Sequence, residues 1–100
     1  MTLRGYDWDG VAGDGVIPEH PFVIISGRTF AEYDDRIRDM AQLVPVYIRG
    51  VGRFRDHQHA GEFKATIINI LGVTEFYEDR DDQIDIIRRG CPHCKVVKVG

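Results

Sequence analysis

Four short stretches of this chain carry side chains able to do chemistry. Residues 7–11 read Asp-Trp-Asp-Gly-Val, residues 22–28 end in Ser26-Gly27-Arg28, Lys64 sits in Phe-Lys-Ala-Thr-Ile-Ile, and residues 76–80 read Phe-Tyr-Glu-Asp-Arg. In extended backbone, residues two apart point to the same side. Asp7 and Asp9 are therefore expected to share a face while Trp8 turns into the core. Two carboxylates that close repel unless a cation lies between them or one holds a proton. A metal site or an acid/base pair follows, with a solvated acidic loop as the plain alternative. A fifth stretch, Cys91-Pro-His-Cys94, has the spacing of a redox dithiol or half a zinc site. It follows a helical pattern rather than opening one, and two further zinc ligands would have to come from His57 and His59 in a polar loop. The expectation is a turn holding two small buried thiols.

The elements that must position these residues alternate in type. "TLRGYD" reads as a first strand, and "FVIIS" (22–26) is a short apolar run that reads as a buried parallel strand. From Thr29 the period changes: Tyr33, Ile37, Met40, Ala41 and Val44 mark an amphipathic helix, stopped by Pro45. "VYIRG" (46–50) is a strand leading into a polar loop rich in glycine and arginine. Phe63, Ile67, Ile70 and Leu71 mark a helix closed by Gly72. "TEFYED" (74–79) is a strand, Asp81 or Asp82 caps a helix through Ile84 and Ile87 to Gly90, and "KVVKV" (95–99) is the last strand. This alternation predicts an α/β fold with a mostly parallel five-stranded sheet covered by helices on both faces, a Rossmann-like three-layer αβα sandwich.

The totals agree with a small globular protein. One hundred residues, 43% hydrophobic and 29% charged, suit a single domain over 1–100 with a modest core. The formal charge of −3 supplies no global basic field for nucleic acid or anionic membrane. No run reaches membrane-span length and the start lacks a signal-peptide pattern, so the expectation is a cytoplasmic protein with no membrane partner and reduced cysteines.

In parallel α/β sheets the chemistry gathers at the carboxyl ends of the strands. There the pattern delivers Asp7 and Asp9, then Ser26-Gly27-Arg28, then Arg49, Arg53 and Arg55 with Lys64 on the next helix, then Glu78-Asp79-Arg80. Carboxylates suit a hard cation such as Mg²⁺, and lysine and arginine balance phosphate charge.

Four motifs in register, D-x-D-G-V, S-G-R, the helical lysine and the acidic pair Glu78-Asp79, resemble the haloacid dehalogenase superfamily of phosphatases in its smallest, capless form. The S-G-R and D-R pairing is also similar to the phosphatase domain of phage polynucleotide kinase-phosphatases. The resemblance implies a Mg²⁺-dependent phosphomonoesterase acting on a phosphorylated substrate, a nucleotide or a polynucleotide 3′-phosphate end among them. It implies that Asp7 attacks phosphorus to give an aspartyl-phosphate and that Asp9 moves protons. Ser26 and the Gly27 amide would hold phosphate oxygens, Arg28 would touch substrate, and Lys64 would neutralise gathering charge. Mg²⁺ would lie against Asp7, the carbonyl of Asp9, and Asp79, with Glu78 assisting.

Each residue also has a plainer reading. Ser26 caps the following helix; Lys64 is a solvated helix residue; Glu78 pairs with Arg80; Arg28 pairs with Asp34 or Asp35. Asp14 and Asp81 read as turn and cap residues. The segment between the first two strands leaves no room for a cap domain, which favours a large substrate that shields the site itself. The rival functional reading is a catalytically inactive module of the same fold that binds or scaffolds.

Overall fold

The computed structural model describes residues 3–8, 21–50 and 57–99. Five strands, β1 (Arg4–Tyr6), β2 (Phe22–Thr29), β3 (Val46–Gly50), β4 (Glu75–Glu78) and β5 (Lys95–Lys98), form one sheet in the order β3-β2-β1-β4-β5. Every neighbouring pair is parallel. Among the described residues, three α-helices lie between them: α1 (Asp35–Ala41), α2 (His57–Leu71) and α3 (Asp81–Gly90). No helix among the described residues is long and apolar enough to cross a membrane.

The alternation of β2 divides the core. Phe22 and Ile24 pack with Trp8, Ile37 of α1 and Val44. Val23 and Ile25 pack instead with Ala65 and Ile68 of α2, Phe76 of β4 and Ile84 and Ile87 of α3. Period-two side-chain direction thus sends successive residues of one strand into two different clusters.

β1 is central and short. Arg4 to Tyr6 lie level with Phe22 to Ile24 on one side and Glu75 to Tyr77 on the other. Tyr6 stacks on Tyr77 with ring centroids 4.6 Å apart, and the Asp7 amide donates to the Tyr77 carbonyl at 3.0 Å. The chain runs outward from β1 through β2 to β3, then returns to place β4 and β5 on the other side. The crevice between β1 and β4 is where that direction reverses, and such switch points open a cleft at the strands' carboxyl ends.

Two helices differ from the pattern read in the sequence. The helix expected from Thr29 begins at Asp35, because β2 continues to Thr29 and a 3₁₀ turn, Phe30–Glu32, intervenes. Glu32 folds back to accept from the Thr29 amide at 3.2 Å, closing a capping box. Asp34 then accepts from the Ile37 amide at 3.1 Å and starts α1 afresh. Tyr33 consequently stands outside the helix and exposed, while Val44 is buried beyond its end.

The other difference is in α2, which already begins at His57, inside the stretch read as loop. Its deeply buried line runs through Ala60, Gly61, Lys64, Ala65 and Ile68, whereas Ile70 is exposed. Small residues account for this. A Cβ on Gly27 would collide with the Cβ of Ala60, and one on Gly61 would lie 3.1 Å from the Ile86 side chain. Glycine and alanine here let α2 approach β2 and α3 closely, at the usual helical cost of glycine, about 1 kcal/mol. Gly72 ends α2 with φ +72°, as a glycine after a helix does.

Candidate active site

The carboxyl ends of β1 and β4 meet at a buried ammonium. Lys64 projects from the buried face of α2, and its Nζ donates to Asp7 Oδ1 at 2.9 Å, Glu78 Oε2 at 2.6 Å and Gln83 Oε1 at 2.7 Å. All four residues are at least nine-tenths buried. Lysine and glutamate are almost never found at such depth unless paired. The reading of Lys64 as a solvated helix residue is therefore excluded.

Glu78 is held from both ends. Its Oε1 accepts from the amides of Asp79 at 3.1 Å and Arg80 at 3.3 Å, while Oε2 faces Lys64. The Arg80 side chain goes elsewhere, pairing through two nitrogens with Asp82. A Glu78–Arg80 ion pair is thus replaced by backbone contacts. Burial raises the Glu78 carboxyl from 4.5 to about 7; the Asp7 charge adds to this and the Lys64 ammonium opposes it. Asp79 moves the other way. Its partial burial pushes upward, but hydrogen bonding with Glu78 and Asp7 and the nearby Lys64 charge hold its carboxyl below the ordinary range.

Asp7, Glu78 and Asp79 each offer an oxygen within 4.8 Å of the others. Three carboxylates therefore cluster around a single ammonium that pairs with two of them, an excess of negative charge that a proton on Glu78 or a cation would reduce. Asp79 Oδ1 is buried without a hydrogen-bond partner among the described residues. Hard oxygen donors, one with an oxygen to spare, fit a divalent ion such as Mg²⁺. Asp7 and Asp79 are the better ligands, since both oxygens of Glu78 are engaged.

On β2, Ser26 is 3% exposed and its Oγ accepts from the Arg28 amide at 3.3 Å. It caps no helix; Asp34 does that. Gly27 packs against α2 at Ala60, one helical turn before Lys64. Arg28 is half-buried at the end of the same strand. Asp34 is bound to Arg36 and Asp35 to Arg38. Asp81 pairs with Lys98 at 3.0 Å in the first turn of α3. Asp9, Gly10, Asp14, Arg53, Phe54 and Arg55 lie outside the described residues, as does the segment read as too short for a cap. Arg49 lies half-buried on the edge strand β3.

Cys91 and Cys94 are free and buried. The Cys94 amide donates to the Cys91 carbonyl at 3.0 Å, making the turn, and Cys91 Sγ donates to the Ala65 carbonyl. Burial raises both thiols, Cys94 to about 11, which is the opposite of what a reactive dithiol requires. His57 and His59 lie in the first turn of α2, and His57 contacts Gln83.

Gln83 is a site neighbour that the sequence reading passes over, and His57 enters that reading only as a possible zinc ligand. Gln83 carries a signal: it sits beside Ile84 and four residues before Ile87, an amide on an otherwise apolar stripe. His57, inside a stretch read as loop, carries none.

No family model, curated protein or solved structure matches the chain.

Proposed function

We propose that the chain is a phosphoryl-transfer enzyme. More specifically, we propose a Mg²⁺-dependent phosphomonoesterase of the capless haloacid dehalogenase type, with the three-layer αβα arrangement of that class. One observation carries this reading: a buried lysine holds the Asp7 carboxylate at the sheet's switch point, beside a second pair of acids. A structural ion pair needs one carboxylate; this lysine pairs with two, and a third, Asp79, lies beside them with a buried oxygen unused.

In the proposed reaction an Asp7 oxygen attacks phosphorus while the bond to the leaving oxygen breaks. Asp9 gives that oxygen a proton. Water then attacks the aspartyl-phosphate, Asp9 takes the water's proton, and the bond from phosphorus to Asp7 breaks to release phosphate. Lys64 holds Asp7 in place for attack and offsets charge on the transferring group. Its three donors are engaged, so direct contact with a phosphoryl oxygen requires one acceptor to give way. Ser26 and the Gly27 amide receive phosphate oxygens. The cation, held by Asp7 and Asp79 with Glu78 behind them, would supply charge neutralisation.

The test is phosphate release from p-nitrophenyl phosphate, nucleotides and an oligonucleotide bearing a 3′-phosphate. Release is expected with Mg²⁺, abolished by EDTA and by Asp7→Asn. A preference for the oligonucleotide would place the substrate among polynucleotide ends. No release from any of them by a folded, Mg²⁺-supplied chain overturns the reading in favour of the inactive binding module.

A further inference from the structure

The ammonium of Lys64 has three hydrogens to donate and accepts none. Asp7 and Glu78 take two, from neighbouring strands. The third goes to Gln83 Oε1, in the first turn of α3. That contact fixes the orientation of the Gln83 amide, since its oxygen must face a partner that only donates. The amide nitrogen then faces His57 Nδ1 at 3.1 Å. An NH₂ group donates as well, so Nδ1 must be the bare ring nitrogen and Nε2 must carry the proton. The hydrogen bonds thus run one way, from Lys64 through Gln83 to His57, and tie the middle of α2 to its own first turn across α3.

We propose that Gln83, oriented by His57, is a positioning residue that holds the Lys64 ammonium against Asp7. A lysine side chain has four flexible bonds, and both carboxylates approach from the sheet. The amide from α3 supplies the remaining direction and leaves the ammonium one arrangement with all three donors satisfied. Gln83 adds no charge, so it steadies Lys64 without cancelling the charge that the proposed reaction needs. The consequences for turnover rest on the phosphatase reading; the placement of Lys64 does not.

Nitrogen NMR of the full chain separates the two. Neutral His57 should show an unprotonated Nδ1 and a protonated Nε2, and the buried Lys64 ammonium should give a resolved, slowly exchanging signal. Gln83→Met and His57→Ala should shift or broaden that signal away. His57→Asn, whose amide oxygen replaces Nδ1, should restore it. In turnover, Gln83→Met should lower kcat about tenfold, the scale of a modest misplacement of a reacting group. KM should stay within about twofold, since the loss falls on the transition state and not on substrate binding. A proton on Nδ1 of neutral His57, or a Lys64 signal indifferent to both substitutions, overturns the proposal. If Gln83→Met does not fold, the Ala and Asn variants of half-buried His57 decide it. A wild type without turnover whose Lys64 signal still responds would sink the phosphatase reading and leave the positioning role standing.

Discussion

A lysine surrounded by three acceptors is the residue on which this site turns, and removing its charge should show why. Lys64→Met keeps most of the side chain's volume but leaves Asp7 and Glu78 buried without a counter-charge. Stranding buried charges in this way costs about 3–5 kcal/mol. The loss should appear in urea unfolding at pH 8 and shrink at pH 5, where the carboxyls take up protons. The wild type should itself depend on pH through Glu78. Its carboxyl, raised from 4.5 to about 7 chiefly by burial, holds a proton more tightly folded than unfolded. That contribution is complete below about pH 4.5 and disappears as pH rises through about 7. Asp79, held low, works the other way and loses its contribution only in acid below the usual carboxylate range. The urea midpoint in EDTA should therefore fall between pH 5 and pH 7.5, and Glu78→Gln should flatten the slope. A midpoint that rises over this range would contradict the raised Glu78. At this scale Asp7, Lys64 and Glu78 are legible from the sequence because types and spacing announce them. Gln83 and His57 are hidden because their roles depend on a contact between two helices.

Elements set the accuracy with which those residues meet. Lys64 lies one turn beyond Ala60 on the face of α2 that presses on Gly27. Gly27→Ala forces the two backbones apart, and overpacking of this kind costs about 1–3 kcal/mol. Ala60→Gly in the same chain should recover much of that stability, less the helical glycine penalty of about 1 kcal/mol. A double-mutant cycle by urea unfolding tests this, and additive losses would show that the contact is not the cause. Turnover should suffer more than stability in Gly27→Ala, because the displaced helix carries Lys64 away from Asp7. Such closeness also explains what the sequence conceals. Phe63, Ile67 and Ile70 invite a helix face built on large residues, yet the face that packs most deeply is small: Ala60, Gly61 and Ala65. The starts of β2 and β3 read well because each is an apolar or β-branched run that begins directly after a proline, Pro21 or Pro45. The start of α1 reads poorly because Thr29–Glu32 and Asp34–Ile37 are two competing local caps, and hydrophobic spacing does not distinguish them.

At the scale of the whole molecule, one of the two core clusters contains both cysteines and none of the three carboxylates, and this gives an independent reporter on the candidate cation site. Cys91 and Cys94 belong to the cluster that joins α2, α3, β4 and β5, and Cys91 Sγ bonds to the Ala65 carbonyl, one residue from Lys64. Thiols buried there and raised by burial react with a disulfide reagent only when this half of the fold opens. Labelling at pH 7.5 should accordingly be slow and should accelerate with urea in step with unfolding. Fast labelling of the native chain would restore the redox reading of Cys-Pro-His-Cys. A ligand that binds only the folded state stabilises it by mass action, by about 2.7 kcal/mol at a hundred times its Kd. Mg²⁺ at that level should then slow labelling by about a hundredfold, the population equivalent of that energy. Asp79→Asn should lose most of the protection, although Asp79 lies outside the cysteine cluster. Labelling indifferent to Mg²⁺ would mean that the three carboxylates are held by Lys64 and a proton on Glu78 with no bound cation. Protection that persists in Asp79→Asn would place the cation elsewhere. Because the reporter is a thiol and the readout is opening of the fold, the result stands whether or not any phosphorylated compound is turned over.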